Sequence, residues 1–444
     1  MTHESFRTAR HGRRTAVALA VVLGLSISAC ASSSAPVAVT YTLGHFPAVP
    51  TGSFSHSTTG DLQAVLDAAI DPGGLPGITA TVLAADGGAW SGAAGTADGI
   101  HPVEVRAQFG IASITKTVIA AEVMRLSEKA LLRLSDLVSE HFPSNLHFDT
   151  NGATIENLLH MESGIPNPAA DAAALAHFYG QPEDPLRVWT PEEVLASVPA
   201  YRSKPGERYV YENVNYMLLA LVIEEMTGMS VAAALGASVL ADPRVSSMVY
   251  QPEERPKGPL ALPFLEGHVR PNIMKVGGGY LPTKADTSVT NGYGSMASDS
   301  GALALWGYLL FGGQLVSEQS LLAMTDFGNS VYGLGVFNQN KDGVWRGPGQ
   351  AIGNGGSDQG GYSSALVVLP REGIVISIMT NHIDEPTALV FPFAEKLALA
   401  LQRSNVRQAQ GPFLKRSRQA ENARNEASWV GSIPIHPRQR HRCG

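Results

Sequence analysis

The spacing of apolar residues changes several times along this chain, and each change predicts an element. Asp61–Ile70 (DLQAVLDAAI) places its Leu, Val and Ile residues at helical intervals. Gly77–Ala85 (GITATVLAA) and the glycine-punctuated segment ending near Ala97 read as two strands of a hairpin. Ile114–Leu132 is apolar, alanine-containing and free of Gly and Pro, so a long helix is expected there. A helix-rich middle follows, around Leu158-Leu159, over Pro191–Val198 and over Tyr216–Met226. Ser363–Leu369 (SSALVVL) and Ile374–Thr380 (IVISIMT) then read as buried strands joined by Pro370-Arg371-Glu372-Gly373. Strands come early and late, with helices between them. The expected fold is therefore mixed α/β (α+β), with a sheet built from both chain ends and a helical insert.

The ends of the chain break this pattern. Arg7, Arg10, Arg13 and Arg14 precede an apolar run, Val17–Ile27, that is shorter than the roughly 20 residues a spanning helix needs. Residues 1–29 read as a secretory signal. The run ends Ile27-Ser28-Ala29-Cys30, which resembles the lipobox of bacterial lipoproteins, with Cys30 as the lipidation site. The other reading is ordinary cleavage near Ala29 with an incidental cysteine. On the lipobox reading the protein is exported and held by its lipid on the outer face of the cytoplasmic membrane, in the cell envelope. The second cysteine, Cys443, could bridge to Cys30 only if Cys30 were not acylated. Residues 30–60 contain no Asp, Glu, Lys or Arg and are rich in Ser, Thr, Pro and Ala, so a tether with a reach of roughly 30 Å is expected. Residues 403–444 are polar and basic, and a disordered tail is expected. Residues 61–402 remain as the folded body.

Composition sharpens this only a little. A chain of 444 residues, 44% hydrophobic and 16% charged, is ordinary globular material. Its formal charge of −7 conceals +3 in residues 1–29 and +7 in residues 403–444, so the body carries −17. An acidic body argues against nucleic acid as a partner.

The chemistry starts at Phe109–Ala121 (FGIASITKTVIAA), where Ser113 and Lys116 lie one helical turn apart. None of the other eight lysines has a serine three positions before it. A serine hydroxyl needs a base to become a nucleophile, and a desolvated lysine can be that base. The helix start adds N–H groups and positive potential suited to an oxyanion. Ser-x-x-Lys alone could equally be a capping serine beside a surface lysine. Two further stretches change the balance: Tyr211-Glu212-Asn213 and Asn354-Gly355-Gly356-Ser357.

In this order the three motifs resemble the serine β-lactamase and penicillin-binding protein family. The branch is that of class C β-lactamases, D-alanyl-D-alanine carboxypeptidases and related esterases. Thr154–Pro166 (TIENLLHMESGIP) and Gly292–Phe311 (GYGSMASDSGALALWGYLLF) resemble it too. The resemblance implies a β-lactamase/transpeptidase-like fold and acyl-enzyme chemistry without metal or cofactor. Ser113 would be the nucleophile, with Lys116 sharing its proton traffic. Tyr211, as phenolate or through the lysine, would activate serine and later water. Asn213 would hydrogen-bond Lys116 and the substrate amide. The N–H groups of Ser113 and Ser357 would form the oxyanion hole, with Gly356 beside them. Two departures bear on specificity. Asn354 stands where Lys or His usually faces a substrate carboxylate, and a neutral donor binds an anion less strongly than a cation does. Glu212 replaces a small residue and would add an acid near the site. The expected substrate is small or peptidoglycan-derived: a cell-wall peptide, a β-lactam or an ester. A wall-fragment-binding lipoprotein without turnover is the alternative. There is no G-x-S-x-G and no H-E-x-x-H, and the histidines show no metal-ligand spacing.

Overall fold

The computed structural model describes residues 46–71, 74–168, 184–265, 268–269, 278–358, 360–383 and 390–404. The signal segment, Cys30 and the basic tail from 405 lie outside the described residues.

The strands in chain order are β1 (Gly52–Ser53), β2 (Gly77–Ala84), β3 (Gly88–Gly95), β4 (Phe109–Gly110), β5 (Val249–Tyr250), β6 (Phe264–Leu265), β7 (His268–Val269), β8 (Met296–Ser298), β9 (Phe337–Asn338), β10 (Ile352–Asp358), β11 (Tyr362–Leu369), β12 (Ile374–Thr380) and β13 (His382–Ile383). The main sheet has the order β1-β3-β2-β12-β11-β10-β9. The β2–β3 hairpin joins β12 in antiparallel register, Val82 opposite Ile376, so the two chain ends meet in mid-sheet as expected. β2 and β11 are buried along their whole length, which is why they read as continuous apolar runs without alternation. The glycine-rich third motif is itself a strand, β10.

One face of the sheet is covered by helix α1 (His56–Ile70) and by the helical residues 391–404. Leu62, Leu66, Ile78, Val367, Ile376 and Leu397 form one core there. The other face carries the helix Ser300–Phe311, then α2 (Thr115–Glu128) and the helix Val214–Thr227. The capping boxes of Thr154 and Thr190 start two short helices of the insert. Among the described residues no single helix is long and apolar enough to cross a membrane.

Two boundaries differ from the sequence reading. α2 stops at Glu128 rather than Leu132, and Ala130 follows in the left-handed region at φ 56°. The expected tether does not extend to residue 60. Phe46 is buried with its ring 4.9 Å from that of Tyr308, β1 pairs with β3 in parallel, and α1 begins at His56. The physical reason is that Ser and Thr also cap helices: Ser55 Oγ accepts the Thr58 N–H and starts α1 five residues early. Residues 30–45 lie outside the described residues.

Candidate active site

Ser113 sits in a single 3-10 turn, Ala112–Ile114, that runs directly into α2. Ala112, just before it, has φ 45°, a region L-residues enter at a cost of roughly 1–2 kcal/mol. Lys116 is fully buried on the first turn of α2. Its Nζ donates to Ser113 Oγ at 2.8 Å and to the Tyr293 carbonyl at 2.9 Å. Burial holds its pKa well below the usual lysine value. Desolvation thus favours the uncharged amine, the form able to take a proton.

Tyr211 completes the cluster. Its ring stacks on Phe337 and meets Tyr332 edge-on, and Lys116 Nζ lies 4.9 Å from its centroid. Its phenol is hydrogen-bonded with Ser113, yet burial pushes its pKa up. Burial therefore favours the neutral phenol, the form that can donate a proton. Of the two roles the sequence left open for it, phenolate or relay through lysine, burial favours the second.

Asn213 stands just before the helix Val214–Thr227 and lines the same cavity as Ser113. It does not hydrogen-bond Lys116, whose Nζ is engaged by Ser113 and Tyr293. Its Oδ1 is buried without a partner among the described residues. β10 closes the other wall. A Cβ on Gly356 would fall 2.3 Å from both the Ile111 carbonyl oxygen and Ser364 Oγ, so only glycine lets the strand come this close to the nucleophile turn. Gly355 and Ser357 face the cavity.

Two expectations are corrected here. Asn354 is wholly buried and does not line the cavity; its Nδ2 reaches the Gly335 carbonyl at 3.5 Å. Strand alternation points it inward with Gly356, and an asparagine is too short to reach out from there as a lysine could. Glu212 likewise turns away. Its carboxylate pairs with Arg202 at 2.8 Å and accepts the Asn167 N–H at 2.8 Å. Asn167 Oδ1 in turn accepts the Val214 N–H, so Glu212 braces the Tyr211–Asn213 segment.

The cavity is about 430 Å³. Besides the motif residues it is lined by Tyr209, Phe337, Gln339, Asp342, Val344 and Phe391. Sequence reading placed none of these six in the site. Gln339 and Asp342 come from a four-residue helix that Gly343 ends at φ 84°, and no motif marks them. Asp136, Glu140 and His141 are the one group among the described residues with metal-ligand proximity. His141 Nε2 is already bonded to Asp136 Oδ2, and none of the three lines the cavity.

Comparison with known proteins places this geometry in context. The Beta-lactamase family model matches residues 62–396. Protein flp of Staphylococcus aureus (strain MW2) is 32% identical over 126 residues, 28% of this chain and 24% of its own length. Penicillin-binding protein 4* of Bacillus subtilis (strain 168) is 29% identical over 168 residues, 36% of this chain and 35% of its own. The chain thus spans about a quarter to a third of the curated relatives it matches. Among solved structures, D-amino acid amidase from Ochrobactrum anthropi SV3 superposes with TM-score 0.65 at 20% identity, over 78% of this chain and 99% of that one. D-stereospecific amidohydrolase from Streptomyces sp. superposes with TM-score 0.61 at 23% identity, over 76% and 98%. At these identities the solved structures speak to the fold.

Proposed function

The chain belongs to the β-lactamase family of serine hydrolases, and from that premise we propose that it cleaves an amide or ester through an acyl-enzyme on Ser113. The observation that carries this is the 2.8 Å contact between a fully buried lysine amine and the serine hydroxyl. Lys116 Nζ takes the Ser113 proton as Oγ bonds to the substrate carbonyl carbon. The N–H groups of Ser113 and Ser357 receive the oxyanion. Tyr211 gives its proton to the leaving nitrogen or oxygen as that bond breaks, and regains one from Lys116. Water then attacks the acyl ester and its proton passes to Lys116, which returns it to Ser113 Oγ as the acyl C–O bond breaks, restoring the hydroxyl and the amine. The net reaction is amide or ester plus water to acid plus amine or alcohol.

The substrate class follows from what the wall lacks. Among the described residues no Lys, Arg or His lines the cavity, and Asn354 is buried. Strong capture of a carboxylate, as on a β-lactam or a terminal D-Ala, has no cation to serve it. Neutral acyl donors, whether peptide, simple amide or ester, are favoured, and the named activities of the two structural neighbours support the amide. Export and acylation at Cys30 belong to the same proposal and rest on the sequence pattern. Loss of labelled palmitate from a Cys30→Ala chain is the expected result, and undiminished incorporation would refute it.

The test of the chemistry is labelling with a fluorophosphonate or a fluorescent penicillin, followed by peptide mapping. Label is expected on Ser113 and absent from Ser113→Ala, with the thermal midpoint little changed. A chain that binds wall fragments but never acquires label would instead be the non-catalytic wall-fragment-binding lipoprotein.

A further inference from the structure

Residues 290–296 bear on the catalytic amine without lining the cavity. Tyr293 presents its carbonyl to Lys116 Nζ at 2.9 Å. The N–H of the same peptide unit, that of Gly294, donates to the Thr290 carbonyl at 2.9 Å. The turn passes through Gly292 at φ 79°, where a Cβ would lie 2.2 Å from the Tyr216 carbonyl oxygen. β5 holds this turn. The hydroxyl of Tyr250, a fully buried residue, accepts the Gly292 N–H at 2.8 Å and donates to Asn291 Oδ1. The next residue, Gln251, donates to the Ser295 carbonyl at 2.9 Å. Beyond the turn, β8 pairs with β4, the strand that leads into the Ser113 turn.

An uncharged lysine amine keeps a lone pair beside its N–H groups. To take the Ser113 proton that lone pair must face Oγ, so an N–H must turn to another acceptor. The Tyr293 carbonyl is such an acceptor. We propose that Tyr250 is a positioning residue for acylation: by fixing the 291–294 turn, its hydroxyl holds the Tyr293 carbonyl on an N–H of Lys116 and keeps the lone pair aimed at Ser113. Burial keeps the Tyr250 hydroxyl in its neutral form, so it orients the turn and carries no proton itself. The proposal rests on the acyl-enzyme reading for the step it assists, but the link from Tyr250 to Lys116 is measurable without turnover.

The experiment exploits that separation. Tyr250→Phe keeps the ring and removes the hydroxyl. Thr380→Val is the control, since it removes a buried hydroxyl that donates to the Gly77 carbonyl at 2.7 Å in the main sheet. Stopped-flow labelling of Ser113 with a fluorophosphonate should slow roughly tenfold in Tyr250→Phe, less than the 10²-fold that an ångström of misplacement brings. Thr380→Val should label at the wild-type rate. Urea midpoints then close two double-mutant cycles with Lys116→Met. The stability costs of Tyr250→Phe and Lys116→Met should not add, because one acts through the other, whereas those of Thr380→Val and Lys116→Met should. A hydroxyl that only supports the fold would give additive costs in both cycles. Additive costs for the Tyr250 pair, an unchanged labelling rate in Tyr250→Phe, or equal slowing in Thr380→Val would overturn the proposal. If Tyr250→Phe does not fold, Asn291→Ala, which takes away that hydroxyl's acceptor at a half-buried position, replaces it in both measurements under the same criteria. Absence of label from the wild-type Ser113 refutes the hydrolase alone, and the cycle still decides whether Tyr250 holds Lys116.

Discussion

At the scale of single residues, the site is built on a conflict that the fold maintains. A lysine in water holds its proton, but burial between Ser113 and the Tyr293 carbonyl makes Lys116 hold it less tightly. The unfolded chain keeps that proton up to about pH 10.5, so between the lowered folded value and 10.5 the unfolded state binds more protons. Stability must therefore rise with pH across this window. Lys116→Met should abolish Ser113 labelling and flatten the rise by up to about 1.4 kcal/mol per pH unit. Urea midpoints at pH 7 and pH 9 measure it, and parallel slopes in the two proteins would mean that Lys116 is protonated when folded. Activity carries the same sign: it falls as pH drops through the Lys116 value, while Tyr211, raised above 10, gives no alkaline loss below that pH. Ser113, Lys116 and Tyr211 were legible because their residue types, spacing and order match the motifs of the family. Asp342 was not, since a lone acid in a four-residue helix leaves no pattern. The left-handed Ala112 was not either, because alanine rarely adopts that conformation.

At the scale of elements, position in the sequence predicted type better than direction. The glycine-rich stretch was recognisable as a motif, yet only its pairing with β11 shows that Asn354 and Gly356 share one face and Gly355 and Ser357 the other. Glu212 was read as an acid in the site because its neighbours are there; the turn before the helix sends it to Arg202 and Asn167. Close approach of β10 to the nucleophile turn is the element-level requirement. Gly356→Ala would push a methyl against the Ile111 carbonyl oxygen, a backbone atom that cannot rotate aside. Overpacking of this kind costs about 1–3 kcal/mol, and an ångström of displacement lowers the acylation rate roughly 10²-fold. The control is Gly236→Ala, in the helix Val231–Ala237, where nothing lies within 4 Å of the new methyl. It should leave acylation unchanged and raise stability by about 0.5–1 kcal/mol. Stopped-flow labelling of both variants decides it; equal behaviour would show that β10 has room to give.

For the whole molecule, the consequence of a sheet closed by early and late strands is that the cavity wall draws on the core that the first and last described helices form. Helical residues 391–404 bury Leu397 against the face that α1 also covers with Leu62 and Leu66, and the first turn of the same segment carries Phe391 into the cavity wall. β12, between them, hydrogen-bonds to β2 from the other end of the chain. No boundary separates a stabilising part from a catalytic part, so the site should not melt before the sheet. Leu397→Ala leaves a cavity at a fully buried position and should cost about 2–5 kcal/mol. The loss should appear as one lowered transition. Far-UV circular dichroism reports the whole fold, and competence for Ser113 labelling during a temperature ramp reports the site. In the wild type the two midpoints should coincide, and in Leu397→Ala they should fall together although residue 397 does not line the cavity. If labelling is lost well before the dichroism changes, in either protein, the nucleophile turn and the insert open independently of the sheet, and the coupling argued from the shared core is wrong.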